Sequence, residues 1–262
     1  MDQLFLSLTA AIFIGGAAGF LGTLMFSKKM ALAAGPLGHL TLPGIAIALV
    51  YGFDISIGAF PFVFLGAVLI WFLEVKTKLP MEALTAVVFA SGVAFSFLFL
   101  PIDQAETALV GDITKVSGNE VLFSVILSVV VLLVTKKIYS KITLINISED
   151  MAKAEGVNIK RYNFLYLLSV ATIVALGVKV VGGLLTAALV AIPVCTSRNL
   201  SNNLSQYLFY SVFFGIISAF FGILLFKATG FLAGPLIIII NTLFFLLSIF
   251  IKTIRERKGI LS

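Results

Sequence analysis

The sequence predicts an all-α, polytopic membrane protein. Hydrophobic residues make up 60% of the 262 positions, charged residues only 11%, and the mean hydropathy is +1.16. Roughly a quarter of an ordinary globular chain is charged, so this composition excludes a domain folded around a water-facing core. The apolar runs are continuous rather than alternating with period two, which excludes a β-barrel.

Windows of about 20 apolar residues predict nine transmembrane helices within a single domain, residues 1–262. They are expected near residues 4–26, 31–52, 55–74, 81–100, 121–139, 162–179, 182–199, 205–227 and 231–251. Several of these segments are only two to five residues apart, so consecutive helices must be antiparallel. Met1-Asp2-Gln3 lacks the basic residues that open a cleaved signal peptide, and the first helix is therefore expected to be retained.

The distribution of Lys and Arg predicts the orientation of these helices. With a cytoplasmic C-terminus and an outer N-terminus, fifteen basic residues lie inside and three outside. The inner set is Lys28, Lys29, Lys76, Lys78, Lys136, Lys137, Lys141, Lys153, Lys160, Arg161, Arg198, Lys252, Arg255, Arg257 and Lys258; the outer set is Lys115, Lys179 and Lys227. The outer loop between the fourth and fifth helices is acidic, with Asp103, Glu106, Asp112 and Glu120. We expect the basic side chains to contact lipid headgroups rather than nucleic acid.

The only histidine, His39, falls inside the second predicted helix, four residues before Pro43-Gly44. At 1.5 Å per residue it lies about 12 Å from the inner end of that helix, close to the middle of a hydrocarbon core about 30 Å thick. An ionisable ring is costly there and indicates a protein-lined or wet path, and imidazole is a common ligand of transition metals. The alternative is a histidine that only hydrogen-bonds a neighbouring helix.

Glycine and proline predict interruptions of three helices. Pro43 and Gly44 should disturb the second helix, and Gly182-Gly183 should end the sixth helix at the outer surface. Pro193 removes a backbone hydrogen bond inside the seventh helix. Because broken helices are tolerated in a membrane only where protein or a cavity surrounds them, Pro43, Gly44 and Pro193 are candidates for a translocation path.

Small residues and the only cysteine are expected to serve packing. Gly15 and Gly19 form a Gly-x-x-x-Gly pair, and Gly215 with Ala219 repeats the spacing, which is typical of close contacts between membrane helices. Cys195 excludes an internal disulfide and a cysteine-based metal cluster, and we expect it to be a small packing residue.

The longest polar stretch, residues 140–161, is predicted on the cytoplasmic side. Ser148 is a candidate N-cap, Glu149-Asp150 would complement the helix dipole in the first turn, and Gly156 is a candidate C-cap. These residues predict a short helix near 149–155 outside the membrane, suited to docking a cytoplasmic motor. The alternative is a connecting loop with one helical turn.

Three motifs resemble the zinc/manganese/iron permease family of ABC importers, in the order in which that family carries them. His39 with Pro43-Gly44 is similar to its Ser-His-Ala-x-x-Pro-Gly motif. Ser148–Asn158 resembles its coupling segment, in which an acidic pair and Ala precede Gly-Val or Gly-Ile. Val181–Pro193, followed by Arg198, looks like its Val-Gly-x-Leu-Leu…Pro-Ala-x-x-x-Arg stretch. With the length and helix count, the resemblance covers nearly the whole chain.

The resemblance implies the membrane-spanning subunit of a type II ABC importer, acting as a homodimer that moves a divalent metal ion inward. A separate cytoplasmic ATPase would dock on Glu149, Asp150, Met151, Ala152, Glu155 and Gly156. An extracellular or periplasmic binding protein would deliver the metal. The chain has no phosphate-binding Gly-x-x-x-x-Gly-Lys-Ser/Thr loop, so ATP would be hydrolysed by the partner, and this subunit would be no enzyme and bind no cofactor.

One position departs from the family pattern. Its members usually carry Asp one turn before the His, on the same face, and this sequence has Gly35 there. His39 alone is a poor ligand set, so a second ligand would come from another helix or from the dimer mate. The alternatives are a different cargo with His39 as a gate, or a secondary transporter or channel in which His39 relays protons. An intramembrane enzyme is disfavoured, because the predicted helices carry no nucleophile–base pair or His cluster.

Overall fold

The computed structural model describes residues 3–52, 55–98, 117–183 and 185–257, and over these ranges the chain forms helices and no strand. The helices, numbered in chain order, are α1 (Gln3–Ser27), α2 (Ala34–His39), α3 (Leu42–Tyr51), α4 (Ile55–Thr77), α5 (Met81–Phe97), α6 (Gly118–Ile147), α7 (Glu149–Ala154), α8 (Ile159–Val181), α9 (Thr186–Leu200), α10 (Leu204–Thr229) and α11 (Ala233–Arg257). A short 3-10 helix, Ala31–Ala33, precedes α2.

The all-α, multi-pass architecture is confirmed. Within the described ranges, seven segments are long and apolar enough to cross a membrane: Gln3–Ser27, Ala31–Ala48, Gly58–Thr77, Gly118–Ile147, Ile159–Val178, Leu204–Thr229 and Ala233–Arg257. Each of the nine segments expected from the sequence contains at least one helix, although the second is divided in two and α5 and α9 are shorter than expected, with 17 and 15 residues. The acidic loop that is expected on the outer side, with Asp103, Glu106 and Asp112, lies outside the described residues.

Helix α1 forms the centre of the bundle, in contact with α6, α8, α9 and α10. The two small-residue pairs meet each other where α1 crosses α10. A Cβ added to Gly15 would lie 2.5 Å from the Gly215 carbonyl oxygen and 3.2 Å from the Ala219 Cβ, and one added to Gly19 would collide with the Ser211 carbonyl. The expected packing role of these pairs is confirmed, since only small residues allow two helix backbones to approach so closely.

Helix α6 is longer than the sequence predicted. It spans Gly118–Ile147 rather than 121–139, so the start of the polar stretch 140–161 is helix and not loop. Beyond residue 139, Ile142 and Ile145 stay buried at helical spacing, while the polar side chains of Ser140, Lys141, Thr143 and Asn146 are partly or fully exposed. The basic and hydroxyl residues that indicated the end of a membrane span therefore mark an amphipathic extension of the same helix.

The second predicted helix, 31–52, is interrupted, but before Pro43 rather than at it. Helix α2 ends at His39 and α3 begins at Leu42, so the break lies at Leu40-Thr41. Pro43 occupies the first turn of α3, where a helix needs no N–H donor. The proline therefore starts a helix here instead of breaking one.

The junction between α8 and α9 is as expected, whereas the expected helix break at Pro193 is absent from α9. Gly182 follows the last residue of α8 with a φ of 88°, which favours glycine. Helix α9 then continues without interruption through Pro193 to Leu200. A missing N–H donor is tolerated because packing against α1, α10 and α11 holds α9 in place.

Most of the basic residues collect at one end of the bundle, together with α7; we call this the basic end. Three hydrogen bonds of 2.9 to 3.2 Å join helices there: Asn146 Nδ2 donates to Ser27 Oγ, Trp71 Nε1 to the Lys160 carbonyl, and Arg255 Nη1 to the Leu200 carbonyl. The end of α6 is thus tied to α1, the last turns of α4 to α8, and α11 to the end of α9.

Candidate functional site

His39 is the last residue of α2 and is half-buried. Its ring lies against Phe89 of α5, with the ring centroids 5.6 Å apart and the planes inclined by 43°. The imidazole makes no hydrogen bond to another described residue. Within the described part of the chain, its side-chain neighbour is therefore an aromatic ring.

The two helix interruptions lie in direct contact. A Cβ added to Gly38 would stand 2.8 Å from the Gly183 carbonyl oxygen and 3.3 Å from the Gly183 Cα. One added to Gly35, the position of the missing carboxylate, would meet the Ala187 Cβ at 3.3 Å. The last turn of α2 thus packs on the junction between α8 and α9. His39 lies next to the contact between the two interrupted backbones.

Threonine hydroxyl groups satisfy the backbone at both interruptions. Thr41 Oγ1 donates to the Gly38 carbonyl at 2.7 Å, and Thr186 Oγ1 donates to the Gly182 carbonyl at 2.7 Å. Both threonines are fully buried. The Gly38 carbonyl also accepts the Thr41 N–H at 3.3 Å, so the hydroxyl adds to a backbone bond there. Because an unpaired carbonyl in hydrocarbon costs several kcal/mol, such bonds stabilise both interruptions inside the bundle.

The other side of the break is held by close contacts with α4 and α5. The Leu40 side chain fills a notch left by two glycines, Gly66 and Gly92, at each of which a Cβ would collide with it. Gly44 faces Gly58, and a Cβ on either would collide with the carbonyl of the other. Gly44 therefore permits the crossing of α3 and α4, a packing role that its place beside a proline did not predict.

The metal-binding capacity of the break is limited in one copy of the chain. Among the described residues, no three His, Cys, Asp or Glu side chains lie close enough together to hold a metal ion. Gly35 contributes no donor. At the break, the described part of a single chain supplies one imidazole.

Helix α7 has the caps that the sequence indicated, with one shift. Ser148 Oγ accepts the Met151 N–H at 3.3 Å, which confirms it as the N-cap. The C-cap is Glu155 rather than Gly156, which follows it with a φ of 72°. The Gly156 N–H donates to the Lys153 carbonyl and the Val157 N–H to the Ala152 carbonyl, both at 2.9 Å, which is the Schellman arrangement.

The surface of α7 combines one anchor with an exposed mixed face. Ala152 is fully buried against the bundle, whereas Met151 is 55% exposed. Lys153 lies 3.3 Å from Asp150 and 4.0 Å from Glu149, and all three side chains are largely exposed. The helix therefore presents an acidic first turn and an unpartnered apolar side chain at the basic end.

A polar cluster beside α7 was not anticipated from the sequence. Lys28 Nζ donates to Asn163 Oδ1 at 3.2 Å, and Asn163 Nδ2 donates to Glu74 Oε1 at 2.6 Å. We call Lys28, Asn163 and Glu74 the polar bridge. Its signal in the sequence was Glu74, the only carboxylate between Asp54 and Glu82, placed at the end of an apolar run.

Comparison with known proteins identifies close structural and sequence counterparts. The model of the ABC 3 transport family matches residues 1–252. The manganese import system permease protein ScaB of Streptococcus parasanguinis is 25% identical over 257 residues, 97% of this chain and 91% of ScaB. The high-affinity zinc uptake system membrane protein ZnuB of Buchnera aphidicola is 24% identical over 250 residues, 91% of this chain and 94% of ZnuB. The structure of PsaBC from Streptococcus pneumoniae in complex with Fab has the same fold, with a TM-score of 0.80, 24% identity, and coverage of 98% of this chain and 96% of that one.

Proposed function

The chain belongs to the ABC 3 transport family and is a membrane permease, not an enzyme; on this premise we propose that it carries a divalent metal ion into the cell. The observation that supports this most is the place of the only imidazole, at the contact between two helix interruptions. The manganese-import and zinc-uptake relatives favour manganese or zinc as the cargo. Iron accepts the same donors.

Because Gly35 supplies no carboxylate, the further metal ligands are proposed to come from a second copy of the chain. A lone half-buried imidazole is a weak ligand set, whereas two copies of His39 facing each other across a homodimer would supply two nitrogen donors. A transient site with few protein donors suits a permease, because cargo must leave the site as readily as it enters.

The inner side of the membrane is proposed to be the basic end. Positively charged residues accumulate on the cytoplasmic side of membrane proteins, and the helix ends that carry them are joined there by hydrogen bonds. In this proposal the protein lies in the cell membrane, with α7 and the C-terminus on the cytoplasmic side and the N-terminus outside. His39 then lies between the two surfaces.

The exposed face of α7 is proposed to dock the ATPase, whose ATP hydrolysis drives transport. Glu149 and Asp150 offer negative charge, Met151 offers an apolar contact, and Ala152 fixes the helix to the bundle. Glu155 and Gly156 end the helix and set the direction in which the chain returns to α8. A binding protein outside the cell would deliver the ion to the opposite surface.

Metal uptake by the purified permease and its ATPase in proteoliposomes tests this function. We expect uptake of manganese or zinc that depends on ATP, and a decrease of at least about tenfold for His39→Ala, equivalent to about 1.4 kcal/mol or more. Association with the ATPase should not change. Leu122→Ala is the matched control, because Leu122 lies on the exposed apolar face of α6.

Three results would contradict the proposal. Unchanged uptake by His39→Ala would assign His39 to packing. Uptake by the permease alone, driven by a proton gradient without ATP, would identify a secondary transporter. ATP-dependent uptake of a solute other than a metal, with no metal uptake, would retain the family and exclude the cargo.

A further inference from the structure

The polar bridge lies beside α7, close to its charged first residue. A cavity of about 700 Å³ is lined by all three members of the bridge and by Glu149 and Lys153 of α7. Burial lowers the pKa of Lys28, and the carboxylates of Glu74 and Glu149 act in the opposite direction. The charge on the first residue of α7 therefore acts on the bridge, and the cavity leaves space for α7 to move.

Helix α8 contacts the turn at which the chain leads from α1 towards α2. Asn163 holds Lys28, and three residues later the Tyr166 hydroxyl donates to Met30 Sδ at 3.7 Å. The ammonium group of Lys28 also lies 5.4 Å from the centre of the Tyr166 ring. Asn163, Tyr166 and Met30 are buried, so these contacts are shielded from water.

The far end of the same helix touches the same segment again. Helix α8 has 23 residues and is about 34 Å long. There α8 contacts α2 directly, and just beyond its end, at the junction with α9, Gly183 packs on Gly38, next to His39. Helix α8 therefore contacts the segment from Lys28 to His39 near both of that segment's ends.

The connection from α7 to α8 is short and fixed at both sides. The Schellman turn at Gly156 ends α7, and Asn158 caps α8 by accepting the Arg161 N–H at 3.1 Å. Val157, between the two caps, is buried. A displacement of α7 therefore moves the first turns of α8, which carry Asn163.

We propose that Asn163 is a positioning residue that transmits movement of α7, through α8, to the segment that carries His39. This rests on the proposed function insofar as a docked ATPase moves α7. An amide suits the role because it accepts a hydrogen bond from an ammonium group and donates one to a carboxylate at the same time. When α7 moves α8, the hydrogen bonds of Asn163 to Glu74 and Lys28 also displace α4 and the turn that leads from α1 to α2.

The test uses the complex of permease and ATPase in proteoliposomes, with Cys195→Ser and His39→Cys introducing one reporter thiol. The measured quantity is the rate of maleimide labelling of that thiol with and without ATP. We expect ATP to change the rate at least about fivefold in this reference, and less than about 1.5-fold after Asn163→Leu. Asn146→Leu is the matched control, because it removes the bond to Ser27 at the same end without touching α8.

Each outcome either supports or overturns the proposed role of Asn163. An undiminished ATP response in Asn163→Leu overturns the proposal, and so does an equal loss in Asn146→Leu or a reference that does not respond to ATP. If Asn163→Leu fails to assemble, the variant that combines it with Lys28→Met and Glu74→Met decides, since it leaves no unpaired charge behind. Failure of that variant to assemble assigns the bridge to folding and overturns the proposal. Since labelling needs no cargo, absence of metal uptake with a normal ATP response would reject the proposed cargo alone.

Discussion

The break at His39 and helix α7 are two interruptions of an apolar bundle, and different forces hold them. At the break, glycine backbones touch, and buried threonine hydroxyl groups occupy the freed carbonyl groups. At α7, one buried alanine anchors a helix whose charged side chains face solvent. The break should therefore respond to added volume and be insensitive to salt, whereas α7 should respond to charge and be screened by salt.

The largest effect is expected from one methyl group at the break. Gly38→Ala places a Cβ 2.8 Å from the Gly183 carbonyl oxygen, so one of two packed backbones must move. Overpacking of this kind costs about 1–3 kcal/mol of stability. We expect a lower melting temperature of the purified permease in detergent, together with loss of ATP-dependent uptake.

Gly118→Ala is the control for that measurement. A Cβ there meets no atom within 4 Å at the start of α6, so the melting temperature should not fall. An equal decrease for both variants, or no decrease for Gly38→Ala, would mean that the contact between the two interruptions is not sterically limited.

A smaller effect is expected from reversing the charge of α7. Changing Glu149 and Asp150 together to Lys should weaken binding of the ATPase by roughly tenfold at low salt, about 1.4 kcal/mol. The difference from wild type should shrink as ionic strength rises. Equilibrium binding of the detergent-solubilised permease to its ATPase, measured at two salt concentrations, checks both statements.

Glu256→Lys provides the matched charge reversal, since Glu256 is exposed near the end of α11 and pairs with Lys252. It should leave the affinity within about twofold of wild type, well inside the scatter of surface substitutions. A weakening equal to that of the α7 variant would assign the effect to net charge at the basic end rather than to α7.

The cap of α7 should contribute less again. Ser148→Ala removes the acceptor of the Met151 N–H and should destabilise α7 locally by about 1 kcal/mol. Hydrogen exchange of the α7 amides measures this directly, with about fivefold faster exchange expected from 1 kcal/mol. Ser140→Ala, at an exposed position of α6, should leave those amides unchanged, and faster exchange there too would point to general loosening.

The sequence predicted the features that depend on neighbouring residues and missed those that depend on contacts between distant parts of the chain. Apolar run length gave the bundle, and the caps at Ser148 and Gly182 were visible because a cap is set by its own neighbours. Pro193 misled because the packing of α9 against three helices overrides one missing donor. The Lys28–Asn163 and Gly38–Gly183 contacts join positions well over a hundred residues apart, and spacing within one segment carries no information about them.

The smallest effect is expected at the ion pairs of α7, and it sharpens the charge-reversal result. Lys153→Ala removes pairs at 3.3 and 4.0 Å whose side chains are 60–93% exposed. Exposed pairs between residues three or four apart on a helix contribute about 0.3–0.5 kcal/mol, so exchange of the α7 amides should change by about twofold. If the change in exchange is that small, the loss of ATPase binding after reversal of Glu149 and Asp150 is due to lost charge interactions with the ATPase and not to unfolding of α7. An increase above about fivefold would instead show that Lys153 stabilises the helix, and the comparison between a steric break and an electrostatic docking helix would have to be redrawn.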